Sequence, residues 1–130
     1  MIKQITLVAL GGGMGSALRY LSSLWFTKHF SYAFPIGTFA VNIVGSFIIG
    51  LLIGLSTCYD IFDKELRLLL IVGFCGGYTT FSTFSLDSLK LFENGDYWPF
   101  ALYIVSNITL GILVVIGGNI LAKSIISVMT

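Results

Sequence analysis

Gly73-Phe74-Cys75-Gly76-Gly77-Tyr78-Thr79-Thr80-Phe81-Ser82-Thr83-Phe84-Ser85 lies in the middle of an apolar stretch that runs from about Leu66 to Phe92. The stretch is long enough to span a bilayer, which takes about 20 mostly apolar residues. Two adjacent glycines followed by a Thr pair are poor helix formers. A helix broken at membrane depth survives only where protein or a cavity satisfies the freed backbone groups. Carbonyls released at such a break can hold a cation, helped by the negative end of the preceding half-helix. The alternative is a continuous helix whose glycines serve packing. The mid-span position, and the Thr/Ser run that follows, favour the break.

Three further stretches flank this one. The first runs from about Ile5 to Phe26 and ends in Thr27-Lys28-His29, and the second opens at Pro35 and continues to about Thr57. Tyr59-Asp60-Ile61-Phe62-Asp63-Lys64-Glu65 gathers charge into an aqueous loop, and Glu93-Asn94-Gly95-Asp96 makes a turn. The last stretch starts near Tyr97-Trp98-Pro99 and ends near Lys123. Trp25, Phe26, Phe30, Tyr32, Tyr97 and Trp98 fall where an interfacial aromatic belt belongs. The expectation is an all-α integral membrane protein of four transmembrane helices, forming one domain over residues 1–130. Lys3, an apolar run and Gly15-Ser16-Ala17 imitate a cleavable signal peptide. The apolar pattern that continues from Leu18 to Phe26 argues instead for a retained helix.

Composition supports the same class. Hydrophobic residues make up 56% of the 130, and only 10% are charged, against about 25% in soluble domains. So few charges cannot cover a small domain in water, which excludes a soluble enzyme. A net charge of +1 gives no field for a nucleic-acid partner. Cys58, Cys75 and the single His29 have no metal-ligand spacing, and the cysteines read as free packing residues.

Orientation is weakly encoded. With four spans, one side carries Lys3, Lys64, Arg67 and Lys123, and the other Lys28, Lys90 and, if it reaches that way, Arg19. This is a poor bias under the positive-inside rule, so dual insertion and an antiparallel pair are open to the chain. Gly11/Gly15, Gly50/Gly54 and Gly73/Gly77 are GxxxG pairs that let backbones approach, within or between subunits.

Polar groups inside spans are functional candidates. Phe81 and Phe84, at i, i+3, share a face just after the break. Such a pair usually packs a core, but the positive ring edges could also line an anion path. Thr79, Thr80, Ser82, Thr83 and Ser85 form a hydroxyl track that can donate to an anion or bond back to its own helix. Asp87 sits further along, near enough to the helix end to count as peripheral. Thr38, Asn42 and Ser46 form an i, i+4 stripe that must face protein or water; the Asn42 amide brings two donors and one acceptor, which an interhelical bond could also use. Tyr103 and Asn107 make a similar pair, with Ser106 beside them. Arg19 could snorkel outward or set a positive potential at a pore entrance.

Gly12-Gly13-Met14-Gly15-Ser16-Ala17-Leu18-Arg19-Tyr20, Gly37-Thr38-Phe39-Ala40-Val41-Asn42-Ile43-Val44-Gly45-Ser46-Phe47 and the 73–85 string resemble the Fluc (CrcB) family of fluoride channels along essentially the whole chain. The resemblance implies a dual-topology antiparallel homodimer with two pores, passing fluoride passively and selectively across a bacterial inner membrane. It implies a central structural sodium ion on backbone carbonyls at the third-helix break, by position those of Gly76 and Thr79. Phe81 and Phe84 resemble the family's pore phenylalanines, Asn42 its pore asparagine, and Ser82 and Thr83 its polar track. Tyr103 resembles a fourth-helix tyrosine near the pore. Ser106 or Asn107 align near the fourth-helix pore register, whereas Gly111 stands where relatives can be polar.

Two rivals remain. A small dual-topology multidrug or cation exporter normally needs a membrane-embedded carboxylate, and the first, second and fourth stretches contain none. A non-transporting assembly protein explains the glycines but not the polar track. Catalysis has no supporting constellation.

Overall fold

The structure is a computed structural model that describes residues 1–30, 34–60 and 62–130. Tyr32 of the expected aromatic belt lies outside the described residues. The described chain is helical: α1 (Ile2–His29), α2 (Ile36–Ser56), α3 (64–78), α4 (Phe81–Glu93) and α5 (Tyr97–Met129).

Among the described residues, three helical stretches are long and apolar enough to cross a membrane: Ile36–Ser56, Lys64–Glu93 and Tyr97–Met129. These make the chain a multi-pass membrane protein. The first helix has the length, 28 residues, but Lys3, Gln4, Arg19 and a run of glycine and serine dilute its apolarity. The last helix continues six residues past Lys123, to Met129. Its 33 residues reach about 50 Å at 1.5 Å per residue, more than a hydrocarbon core of about 30 Å.

The molecule is apolar on its outside. Only 11% of the apolar window of α5 is buried, and Ile112, Leu113, Ile116 and Ile120 are exposed. A lipid-facing surface accounts for this, because apolar side chains gain nothing by hiding from acyl chains.

Packing rests on two close helix pairs, α2 along α5 and α1 along α3. Glycine makes the second possible. A Cβ at Gly15 would run into the carbonyl of Phe74 and stand 2.9 Å from the amide nitrogen of Tyr78. Gly11 faces Leu69 and Phe74 in the same way, and Gly73 and Gly77 meet Val8 and Gly12 from the other side. Gly50 and Gly54 lie against Val115, Asn119 and Ala122 of α5. All three GxxxG pairs are therefore used in packing within one chain.

The middle of α3, Leu68–Cys75, is π-helical, a rare i→i+5 geometry associated with functional sites. Asp63 caps the start of α3 by accepting from the Leu66 amide at 2.8 Å. Arg67 donates to the Ser56 carbonyl at 3.2 Å, a cation at a helix C-terminus. Lys3 pairs with Glu65; the hydrogen bond to Glu65, then its charge, raises the Lys3 pKa. Gly95, at φ 77, closes α4: its amide donates to Phe92 and that of Asp96 to Leu91. This 6→1, 5→2 pattern needs a left-handed residue, which glycine supplies without strain.

Between α3 and α4 the backbone leaves the helix for two residues. Thr79 has φ −81, ψ 158 and Thr80 φ −150, ψ 119.

Candidate functional site

The two extended residues divert donors that a continuous helix would use. The amide of Thr80 would meet the Gly76 carbonyl in a helix, but donates to Asn42 Oδ1 at 2.9 Å. The amide of Thr83 would meet the Thr79 carbonyl, but donates to Thr80 Oγ1 at 3.2 Å, the N-cap of α4. The carbonyls of Gly76 and Thr79 thus lose their helical donors. Gly76 is exposed and Thr79 half-buried.

Asn42 holds this geometry from α2. Besides accepting from Thr80, its Nδ2 donates to the Thr80 carbonyl at 3.2 Å and to Asn107 Oδ1 at 3.4 Å. One side chain thus binds both the N–H and the C=O of the same extended residue. Both amide hydrogens of Asn42 are committed, the one to Asn107 at the longer distance. Asn107 in turn donates back to the Tyr103 carbonyl at 3.0 Å.

Phe81 and Phe84 follow, with ring centroids 5.7 Å apart and planes inclined by 46°. Phe84 is buried and packs on Tyr103, centroids 5.3 Å apart, whereas Phe81 is 79% exposed. Both rings, with Asn42, Ser46, Gly76, Thr79, Thr80 and Asn107, line one cavity of about 600 Å³ on the face where Phe81 and Gly76 are exposed.

A second polar region lies toward α1. Arg19, half-buried, lines a cavity of about 230 Å³ with Ser16, Ser23, Thr38, Thr80 and Thr83. Thr80 borders both cavities. Ser82 and Thr83 are exposed, and their hydroxyls lie 3.5 and 3.1 Å from Thr80 Oγ1. Ser106 bonds back to the Tyr103 carbonyl at 3.3 Å, so its hydroxyl serves its own helix.

Asp87 departs from the sequence reading. It is half-buried, not peripheral, and its Oδ2 accepts from Thr38 Oγ1 at 2.8 Å and from Tyr103 OH at 3.4 Å. Tyr103 is fully buried, and the carboxylate joins α4 to both α2 and α5. The missed signal was the i, i+3 relation of Asp87 to Phe84, which turns both toward the same buried face. Asp87→Ala leaves two hydroxyls without their acceptor, and should destabilise the chain in detergent by about 1–3 kcal/mol. Asp87→Asn keeps a carbonyl acceptor and should cost less. Thermal melting of the three proteins checks the order, and equal midpoints would refute it.

Among the described residues no group of three His, Cys, Asp or Glu could hold a metal; Cys58 and Cys75 are free thiols, one exposed and one buried.

The chain is similar to known proteins over nearly its whole length. Residues 6–119 match the family model described as CrcB-like protein, Camphor Resistance (CrcB). A fluoride-specific ion channel FluC of Azobacteroides pseudotrichonymphae is 44% identical over 123 residues, covering 95% of this chain and 98% of that one. One of Bacteroides fragilis is 46% identical over 125 residues, covering 94% and 98%. One of Rhizobium etli is 49% identical over 115 residues, covering 88% and 92%. With the family model spanning residues 6–119 and relatives this similar, the chain belongs to the CrcB-like family.

Proposed function

We propose that this chain is a passive, selective fluoride channel of the bacterial inner membrane. The observation that carries the reading is the clamp of Asn42 on Thr80, which fixes an extended step beside two phenyl rings in the wall of the 600 Å³ cavity. Irregular backbone at membrane depth is stable where protein or a cavity satisfies it, and here Asn42 does so at the wall of the cavity that both rings line. On this reading the chain is one domain of four crossings, with α1 as the first and α3–α4 together as a crossing broken at mid-membrane. The relatives' printed names support fluoride as the ion.

The working unit is an antiparallel, dual-topology homodimer with two pores. Its support is the weak charge bias and the open cavity face, where the polar groups of Asn42, Thr79 and Asn107 would meet lipid unless a second copy covers them. A sodium ion at the dimer centre would be held by the carbonyls of Gly76 and Thr79. The fit rests on their diverted helical donors and on the donor type, neutral oxygens suited to a hard monovalent cation. Such an ion supplies positive potential and helps to hold two copies together.

Fluoride holds its water strongly, so a pore must replace that water with donors that do not bind too tightly. Arg19 supplies positive potential at the vestibule. The hydroxyls of Ser82 and Thr83 form a polar track beside the rings, and those of Thr38 and Tyr103 would join it by giving up their bonds to Asp87. Phe81 and Phe84 present ring edges, whose positive quadrupole tolerates an anion without trapping it. Asn42 can exchange its longer bond to Asn107 for one to the ion while keeping its grip on Thr80. Asn107 continues the path along α5 with its second amide hydrogen, and Ser106 stands beside it with its hydroxyl turned back to the Tyr103 carbonyl. No bond is made or broken, so the protein is a transporter without enzymatic chemistry.

The test is ion release from liposomes followed with fluoride and chloride electrodes. Fluoride should leave rapidly and chloride negligibly. Phe81→Ile should slow fluoride release about tenfold or more, the loss of about 1.4 kcal/mol of ring-edge contact to the ion, with the dimer intact by gel filtration. Undiminished flux in that variant would remove the ring-edge role. Release of neither ion by the wild-type chain would leave the assembly-protein reading in its place.

A further inference from the structure

The 600 Å³ cavity is lined by five polar side chains, those of Asn42, Ser46, Thr79, Thr80 and Asn107. Most of their donors are already used. Asn42 spends both amide hydrogens. Thr79 Oγ1 donates to the Cys75 carbonyl at 2.9 Å, and Thr80 Oγ1 to Thr83 Oγ1 at 3.1 Å. Asn107 gives one hydrogen to the Tyr103 carbonyl and keeps a second.

Ser46 differs from all of these. Its side chain is half-buried, and among the described residues its hydroxyl meets no hydrogen-bond partner. Helical serines can bond back to their own helix, as Ser85, Ser88 and Ser106 do here, and Ser46 does not. Gly111 on α5 leaves the hydroxyl open: a Cβ there would lie 3.8 Å from Ser46 Oγ. Ser46 also stands one helical turn beyond Asn42, on the same face of α2.

We infer that Ser46 Oγ, with the second amide hydrogen of Asn107, forms an anion-binding step in the path, beyond Asn42. The inference rests on the channel reading. An ion leaving Asn42 must find a new donor before losing the old one, because a bare fluoride in an apolar gap is costly. Ser46 has a donor ready that need not first break a bond within the chain. The ligand at this step is a small, strongly hydrated anion. Larger halides, with weaker hydrogen bonds, should gain less from it, so the residue contributes to selectivity as well as to rate.

The experiment compares fluoride efflux from liposomes holding the wild-type chain, Ser46→Ala, Ser46→Thr and Ser127→Ala. Ser127 is exposed near the end of α5, and its hydroxyl is spent on the Ser124 carbonyl, so its variant should match the wild type. Ser46→Ala should be about tenfold slower, the worth of one hydrogen bond to a charged group, with an unchanged gel-filtration profile. Ser46→Thr keeps the hydroxyl and should restore most of the rate. An alanine rate within about threefold of wild type, or a threonine variant as slow as alanine, overturns the inference while the channel reading stands. Absence of fluoride efflux from the wild type overturns the channel reading itself.

Discussion

Asn42→Ala should lower stability in detergent by roughly 2–6 kcal/mol and bring fluoride release down to the level of empty liposomes. The stability figure comes from two groups at once. The substitution leaves the N–H and the C=O of the buried Thr80 without the partners they have at 2.9 and 3.2 Å, and each orphaned group costs about 1–3 kcal/mol. Asn107 also loses its donor. Flux should fall with stability because Thr80 sets where Phe81 and Phe84 project. Thermal melting by loss of the dimer peak gives the first number and proteoliposome efflux the second. A melting point within a degree or two of wild type would show that the extended step holds without Asn42, and the clamp would lose its role.

The second large effect is at the α1–α3 contact. Gly15→Ala would place a methyl group against the Phe74 carbonyl and 2.9 Å from the Tyr78 nitrogen. Both are backbone atoms in a helix and cannot swing aside. Overpacking of this kind costs about 1–3 kcal/mol or more, and here it would also push apart the helices that support the Thr79–Thr80 step. Gly13→Ala is the counterpart, since nothing lies within 4 Å of a Cβ there. It should stabilise α1 by up to about 1 kcal/mol, the helix-propensity gap between glycine and alanine. Opposite shifts in melting temperature are expected from two alanines two residues apart. Matching shifts would mean that the helix pair is not packed as described.

Several features were legible in the residues because their causes are local. Helix bounds at Ser56 and Glu93 lie within a residue of where the apolar pattern stops. The backbone leaves helical dihedrals at the Thr pair after Gly76-Gly77, where helix propensity is poorest. The glycine pairs were recognisable as contact surfaces, though not which helix each would meet.

Asp87 was misjudged for the opposite reason. Its partners are 49 positions away on α2 and 16 away on α5, and distance from a helix end says nothing about what packs beside it. The same limit applied to Asn42, 38 residues from the Thr80 amide that it accepts from. The uncommitted state of Ser46 is also invisible in a sequence, where every serine looks equally able to bond back.

The sequence by itself determined the membrane class, the order of the helices, the place where the backbone leaves the helix and the family. These follow from hydropathy, backbone propensity and short motifs, all properties of neighbouring residues. Only the tertiary structure decided which polar groups are spent and which are free. It set Asn42 on both sides of Thr80, drew Asp87 inward and left the Ser46 hydroxyl open. Hydrogen-bond partnership depends on which side chains meet across helices within about 3 Å, and that is fixed only when the glycine-lined faces close on one another.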